Sequence, residues 1–136
     1  MSLDDWILAL HVLSAVALVA ALVLFWVIVV AARGVDAEEA NRQFAPLTRL
    51  GTVTVIAGLV GTLVFGIWLA LSVGGYDLWD GWIIAALVLW VIGAGTGQQS
   101  GVAFAQGDQR RGVLLHAISS AAIVLILVDM IWKPGA

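Results

Sequence analysis

Four long apolar stretches constrain this chain more than any other feature, because a run of about 20 mainly apolar residues is what a helix needs to cross about 30 Å of hydrocarbon. They run from Trp6 to Ala32, Leu50 to Ser72, Trp79 to Gly97 and Val113 to Trp132. Hydrocarbon offers the backbone no hydrogen-bond partners, so each stretch must satisfy its own amides, and a helix does this within one segment. The expected fold is therefore all-α: a four-transmembrane-helix bundle forming one integral membrane domain over residues 1–136. Composition agrees, with 62% of residues hydrophobic and 11% charged, against about 25% charged in soluble domains. Mean hydropathy is +1.09. The start "MSLDDW" has no basic region and no small-residue cleavage site follows the first apolar run, so no removable signal peptide is expected.

The intervening segments are "RGVDAEEANRQFAPLTR", "VGGYDLWDG" and "GQQSGVAFAQGDQRRG". In the first, Asp36 can cap a short surface helix over "AEEANRQF", and Pro46 suits the start of the next span. Five of the six basic residues, Arg33, Arg42, Arg49, Arg110 and Arg111, fall in the first and third segments. The positive-inside rule makes those loops cytoplasmic and puts both termini and the middle loop on the outer side of a bacterial cytoplasmic membrane. The net charge of −3 is less informative than this distribution. Lys133, Asp4, Asp5, Asp77 and Asp80 then face outward, with Trp6, Tyr76, Trp79, Trp82 and Trp132 as an aromatic belt. Small residues supply the helix seams: Ala57, Gly58 and Gly61 in the second span, "GAGTG" at the end of the third, and Ser14, Ala15, Ala17, Ala20 and Ala21 in the first.

Cysteine is absent, which excludes disulfides, thiolate metal sites and covalent haem attachment. No GxSxG, P-loop or HExxH motif occurs, and the basic residues are too few for nucleic acid. The partners to expect are the lipid bilayer and a second copy or another membrane subunit. Chemistry, if there is any, must be borne by a cofactor or an ion.

Candidate site residues are few: His11 and His116 inside the first and last spans, and Asp129 and Lys133 near the end of the last. An ionisable group within a membrane span is by default a functional hypothesis. One haem held between His11 and His116 conflicts with the topology. Each histidine enters from its own membrane face, so at about 1.5 Å per residue the two lie about 15 Å apart along the normal. Ligands of one iron need nitrogens about 4 Å apart, twice a metal–imidazole bond. His116 reads as a neutral interfacial histidine bonded to a carbonyl or to Ser120, as a metal or haem ligand, or as a proton-transfer group. His11 shares its membrane side with Asp129 and Lys133, which are four apart in the favourable acid-before-base order for one helix face. Asp129 can pair with Lys133 or bond His11, either orienting it as a ligand for haem or a metal or clamping the first helix to the last.

The segments "ILALHVLSAVALVAALVLFWVIVVAAR", "ANRQFAPLTRLGTVTVIAGLVGTLVFGIWLAL", "YDLWDGWIIAALVLW" and "MIWKPGA" together resemble a family of small bacterial predicted integral membrane proteins common in actinobacteria. The early Leu–His pair and the terminal Lys–Pro are similar to the HemJ-type membrane protoporphyrinogen oxidases, and the early histidine to the copper-resistance CopD membrane domain. That resemblance implies His11 as a haem b ligand and matches Lys133 to a terminal lysine. The arginine and acidic positions of the oxidase are missing, so haem binding is carried over and the enzymatic activity is not.

Two functions follow as expectations. One is a membrane protein binding haem b or a metal near its outer face through His11 in a redox-related role. The other is a non-enzymatic membrane subunit, or a small ion or proton transporter, in which His11, Asp129 and Lys133 form a structural or ion-coupling cluster. The phrases "LHVLSA" and "LHAISS" also suggest an inverted repeat of the kind carriers use.

Overall fold

All four apolar stretches are helical in the computed structural model, which describes residues 1–134; the last two residues of the "MIWKPGA" ending lie outside it. The helices are α1 (Leu3–Ala31), α2 (Ala37–Ser72), α3 (Gly81–Ala105) and α4 (Gln109–Trp132). Each is long and apolar enough to cross a membrane, the pattern of a multi-pass membrane protein.

Polar side chains start three of them. Ser2 and Asp5 form a reciprocal capping box ahead of α1, the Ser2 amide donating to Asp5 Oδ2 at 2.8 Å and the Asp5 amide to Ser2 Oγ at 3.2 Å. Each bond meets one of the amides that a helix start leaves unpaired. Asp36 caps α2 as expected, accepting from the Glu39 amide at 2.9 Å, and Asp108 accepts from the Arg111 amide at 3.1 Å ahead of α4. Gly34 and Gly107 have φ of 80° and 78° in the two turns between adjoining helices, a backbone state that glycine adopts without a side-chain clash.

Two boundaries differ from expectation. The surface helix and the second span are one continuous helix with Pro46 inside it. Proline removes one helical donor and crowds the carbonyl four residues back, here that of Arg42. Pro46 and Arg42 are both exposed, so solvent can satisfy the freed carbonyl and the helix need not break. The third helix continues past "GAGTG" to Ala105, leaving Gln106–Asp108 as the connection to α4. Gly93 and Gly97 of that stretch instead lie against Ile123 and Ser119 of α4, and packing outweighs their weak helix propensity.

Consecutive helices pack in pairs, α1 on α2 and α3 on α4. The chain divides into two compact units, Met1–Gly74 and the residues from Gly75 onward. Each is an antiparallel helical hairpin with its own seam.

In the first hairpin, glycines of α2 receive large side chains of α1. A Cβ on Gly66 would lie 3.0 Å from His11 Cε1, one on Gly61 would overlap Ser14, and one on Gly58 would lie 3.0 Å from both Leu18 Cβ and the Ser14 carbonyl oxygen. Farther along, a Cβ on Gly51 would come within 3.0 Å of Phe25. Lipid tails are as apolar as the seam, so contact area gained by close backbone approach, and not expulsion of water, holds such a pair together.

The second hairpin adds hydrogen bonds between helices. Ser119 Oγ on α4 donates to the Gly93 carbonyl on α3 at 2.8 Å, and Ser100 Oγ on α3 donates to the Gly112 carbonyl on α4 at 2.8 Å. Both serines are buried. A Cβ on Gly93 would meet Ile123 at 3.2 Å, and one on Gly112 would meet the Phe104 ring at 2.7 Å.

Replacing Gly61 with Val should lower the thermal unfolding midpoint in detergent, with an overpacking cost of about 1–3 kcal/mol. Gly95, where an added Cβ meets nothing within 4 Å, should accept Ala with no loss when the same melt is followed by circular dichroism.

Candidate functional site

Each candidate residue is set by its own hairpin: His11 belongs to the first, and His116, Asp129 and Lys133 to the second.

His11 lies two turns into α1, with its half-buried ring seated on the bare backbone of Gly66. The absence of a side chain at Gly66 lets the imidazole reach the α2 backbone. The Thr62 carbonyl lies close enough to interact with the ring, while Nδ1 is buried and has no hydrogen-bond partner among the described residues. Ser14, one turn on, does not help it, because its hydroxyl donates at 2.8 Å to the Leu10 carbonyl of its own helix. The result is a braced ring with a nitrogen left unmet. Leaving a buried polar atom unpaired costs about 1–3 kcal/mol, so such an atom calls for a partner or a role.

His116 is buried at 5% exposure in the α3–α4 seam. The expected link to Ser120 exists in a different form. Ser120 Oγ donates at 2.8 Å to the backbone carbonyl of His116, the common four-residue back-bond of a helical serine.

Lys133 does not form the expected ion pair with Asp129; among the described residues the ion pair present is Arg42 with Glu39. Side chains four apart share a face only when both residues are helical. Lys133 ends α4 in the left-handed region, with φ 43° and ψ 60°, which takes its side chain off that face. Its Nζ donates at 3.0 Å to the Tyr76 hydroxyl and sits 4.8 Å from the Tyr76 ring centroid and 5.5 Å from that of Trp82. Tyr76 and Trp82 meet edge to face, their centroids 5.3 Å apart and their planes at 79°. Asp129 Oδ2 is left buried without a partner among the described residues, as is Trp82 Nε1.

Trp82 therefore departs from the expected interfacial belt. It is 6% exposed and part of the second hairpin's core, whereas Trp79 and Trp132 are 87% and 81% exposed, as belt residues should be. The sequence reading missed that Tyr76 and Trp82 are the partners of Lys133. The signal was available in the antiparallel hairpin, which returns the end of α4 to the start of α3.

As a cofactor site the arrangement offers one ligand. No group of three or more His, Cys, Asp or Glu residues that could hold a metal ion occurs among the described residues. Were a haem or a metal ion bound, His11 would be the residue to hold it through a ring nitrogen, with the Thr62 carbonyl near the ring to orient it. No protein-family profile, curated protein or solved structure matches the chain.

Substituting Trp82 with Ala should destabilise the second hairpin toward the low end of the roughly 3–5 kcal/mol seen for large core truncations, since lipid lessens the transfer part of that cost. Trp79→Ala should be near neutral, and denaturant titration in micelles compares the two.

Proposed function

We propose that this protein is a small multi-pass component of the bacterial cytoplasmic membrane that holds haem b or a metal ion near its outer face through His11, in a redox-related role. The observation that carries this reading is the buried Nδ1 of His11, without a hydrogen-bond partner among the described residues, in a ring braced against Gly66. The arginines of the α1–α2 and α3–α4 connections support cytoplasmic loops and outward termini. The resemblance to the HemJ-type and CopD-type membrane proteins points to the same histidine. When bound, a haem iron supplies one-electron redox chemistry. The chain's own part is to hold one ring nitrogen unmet and to keep its helix pair rigid around it. Lys133 is engaged within its own hairpin by the Tyr76 hydroxyl at 3.0 Å.

A second reading has an observation of its own. His11, Ser14, Leu18 and Phe25 form a continuous row against glycines of α2, so His11 also serves as a seam residue of a non-enzymatic subunit or small ion transporter.

Purification from haem-replete cells separates the two. The first reading expects a Soret band in the wild type that is lost in His11→Ala, or regained on adding hemin to the apoprotein. A colourless preparation with no band on added hemin, together with a lower melting midpoint for His11→Ala, favours the seam reading. Orientation is tested independently. The chain has no cysteine, so Cys at Val35 should be labelled only from the cytoplasmic side, and Cys at Gly74 only from outside, by a membrane-impermeant maleimide.

A further inference from the structure

The Lys133 ammonium, packed against aromatic rings where α4 ends, has no carboxylate in an ion pair among the described residues, although Asp129 lies one helical turn away. We propose that Lys133 and Tyr76, on a platform made by Trp82, bind a phosphate group, that of an anionic lipid headgroup at the membrane surface.

Donor chemistry supports an anion. An ammonium has three N–H donors and no acceptor, and Lys133 spends one on the Tyr76 hydroxyl. That hydroxyl, having accepted, keeps its own hydrogen to donate. The pair thus presents two N–H groups and one O–H group, which suits a ligand that only accepts. Charge-assisted bonds of this kind are about twice as strong as neutral ones. The Asp80 carboxylate is engaged by the Asp77 amide at 3.1 Å, within the turn that carries Tyr76.

The ammonium is also held in advance. A lysine that merely snorkels extends toward water with its rotamers free, but this one curls back over two rings set edge to face. Its backbone adopts a positive φ that non-glycine residues seldom take, immediately before Pro134, which restricts it further. The side chain's engagement with the rings supplies a reason for that conformation. Exposed Trp79 and Trp132 at the same end of the hairpin set it at headgroup level, which selects a lipid as the source of the phosphate.

Native mass spectrometry of the full chain in detergent, titrated with phosphatidylglycerol, phosphatidylcholine and, separately, inorganic phosphate, tests the proposal. Retention of one phosphatidylglycerol in preference to phosphatidylcholine is expected. Lys133→Gln and Tyr76→Phe should each weaken it about tenfold, the scale of one charge-assisted hydrogen bond, while Lys133→Arg keeps it. Tyr76→Phe leaves both rings in place, so the test stands even where Lys133→Gln fails to fold. Binding of inorganic phosphate with the same Lys133 dependence, without discrimination between the lipids, would assign the site to free phosphate. Equal retention of both lipids in wild type and all three variants, with no phosphate binding, overturns the proposal. None of these outcomes depends on whether His11 carries a cofactor.

Discussion

Close approach of two helix backbones is the constraint on which both halves of this protein depend. Inside hydrocarbon no hydrophobic gain accrues from bringing apolar faces together, so helices associate through contacts and hydrogen bonds that lipid cannot match. The first hairpin meets that demand with shape, setting Phe25, Leu18, Ser14 and His11 against glycines. The second uses shape and polarity together, with Ser119 and Ser100 bonding carbonyls in opposite directions across the seam. His11 owes its contact with the α2 backbone to this constraint, because any side chain at Gly66 would hold the imidazole away.

The two seams share a spacing. His11, Ser14 and Leu18 recur as His116, Ser119 and Ile123, and in both triplets the serine and the aliphatic residue pack on glycines of the paired helix. Yet the serines differ, one bonding its own helix and the other its neighbour's carbonyl. The triplet lies on the first helix of one hairpin and on the second helix of the other, so it does not follow the chain order of a tandem α1α2–α3α4 duplication. The same packing solution on helices of different rank is a simpler account of the similar phrases around the two histidines.

Much of the architecture was legible in the sequence because hydropathy records span length directly. Helix existence, the Asp36 cap and the exposure of Trp79 and Trp132 follow from rules that act locally. The misjudged features were those in which a distant partner overrides a local signal. Pro46 reads as a helix start, but exposure of the Arg42 carbonyl lets the helix run through it. "GAGTG" reads as a helix end, but α4 gives Gly93 and Gly97 something to pack against. Asp129 and Lys133 have ion-pair spacing, but the left-handed ending of α4 separates their faces. The chemistry of His11 draws attention to it in the sequence, but its seat on Gly66 cannot be read there, because the spacing within one helix says nothing about which glycine of the next will face it.

The pairing of neighbours in the chain bears on how the protein is made. Each seam joins helices separated by a short turn, Ala32–Asp36 in one case and Gln106–Asp108 in the other. Contacts between near neighbours in sequence form quickly because little chain must be ordered to bring them together. Domains also tend to fold as units while synthesis proceeds from the N-terminus. The first hairpin can therefore close as soon as α2 has emerged, because its seam is made of α1 and α2 alone.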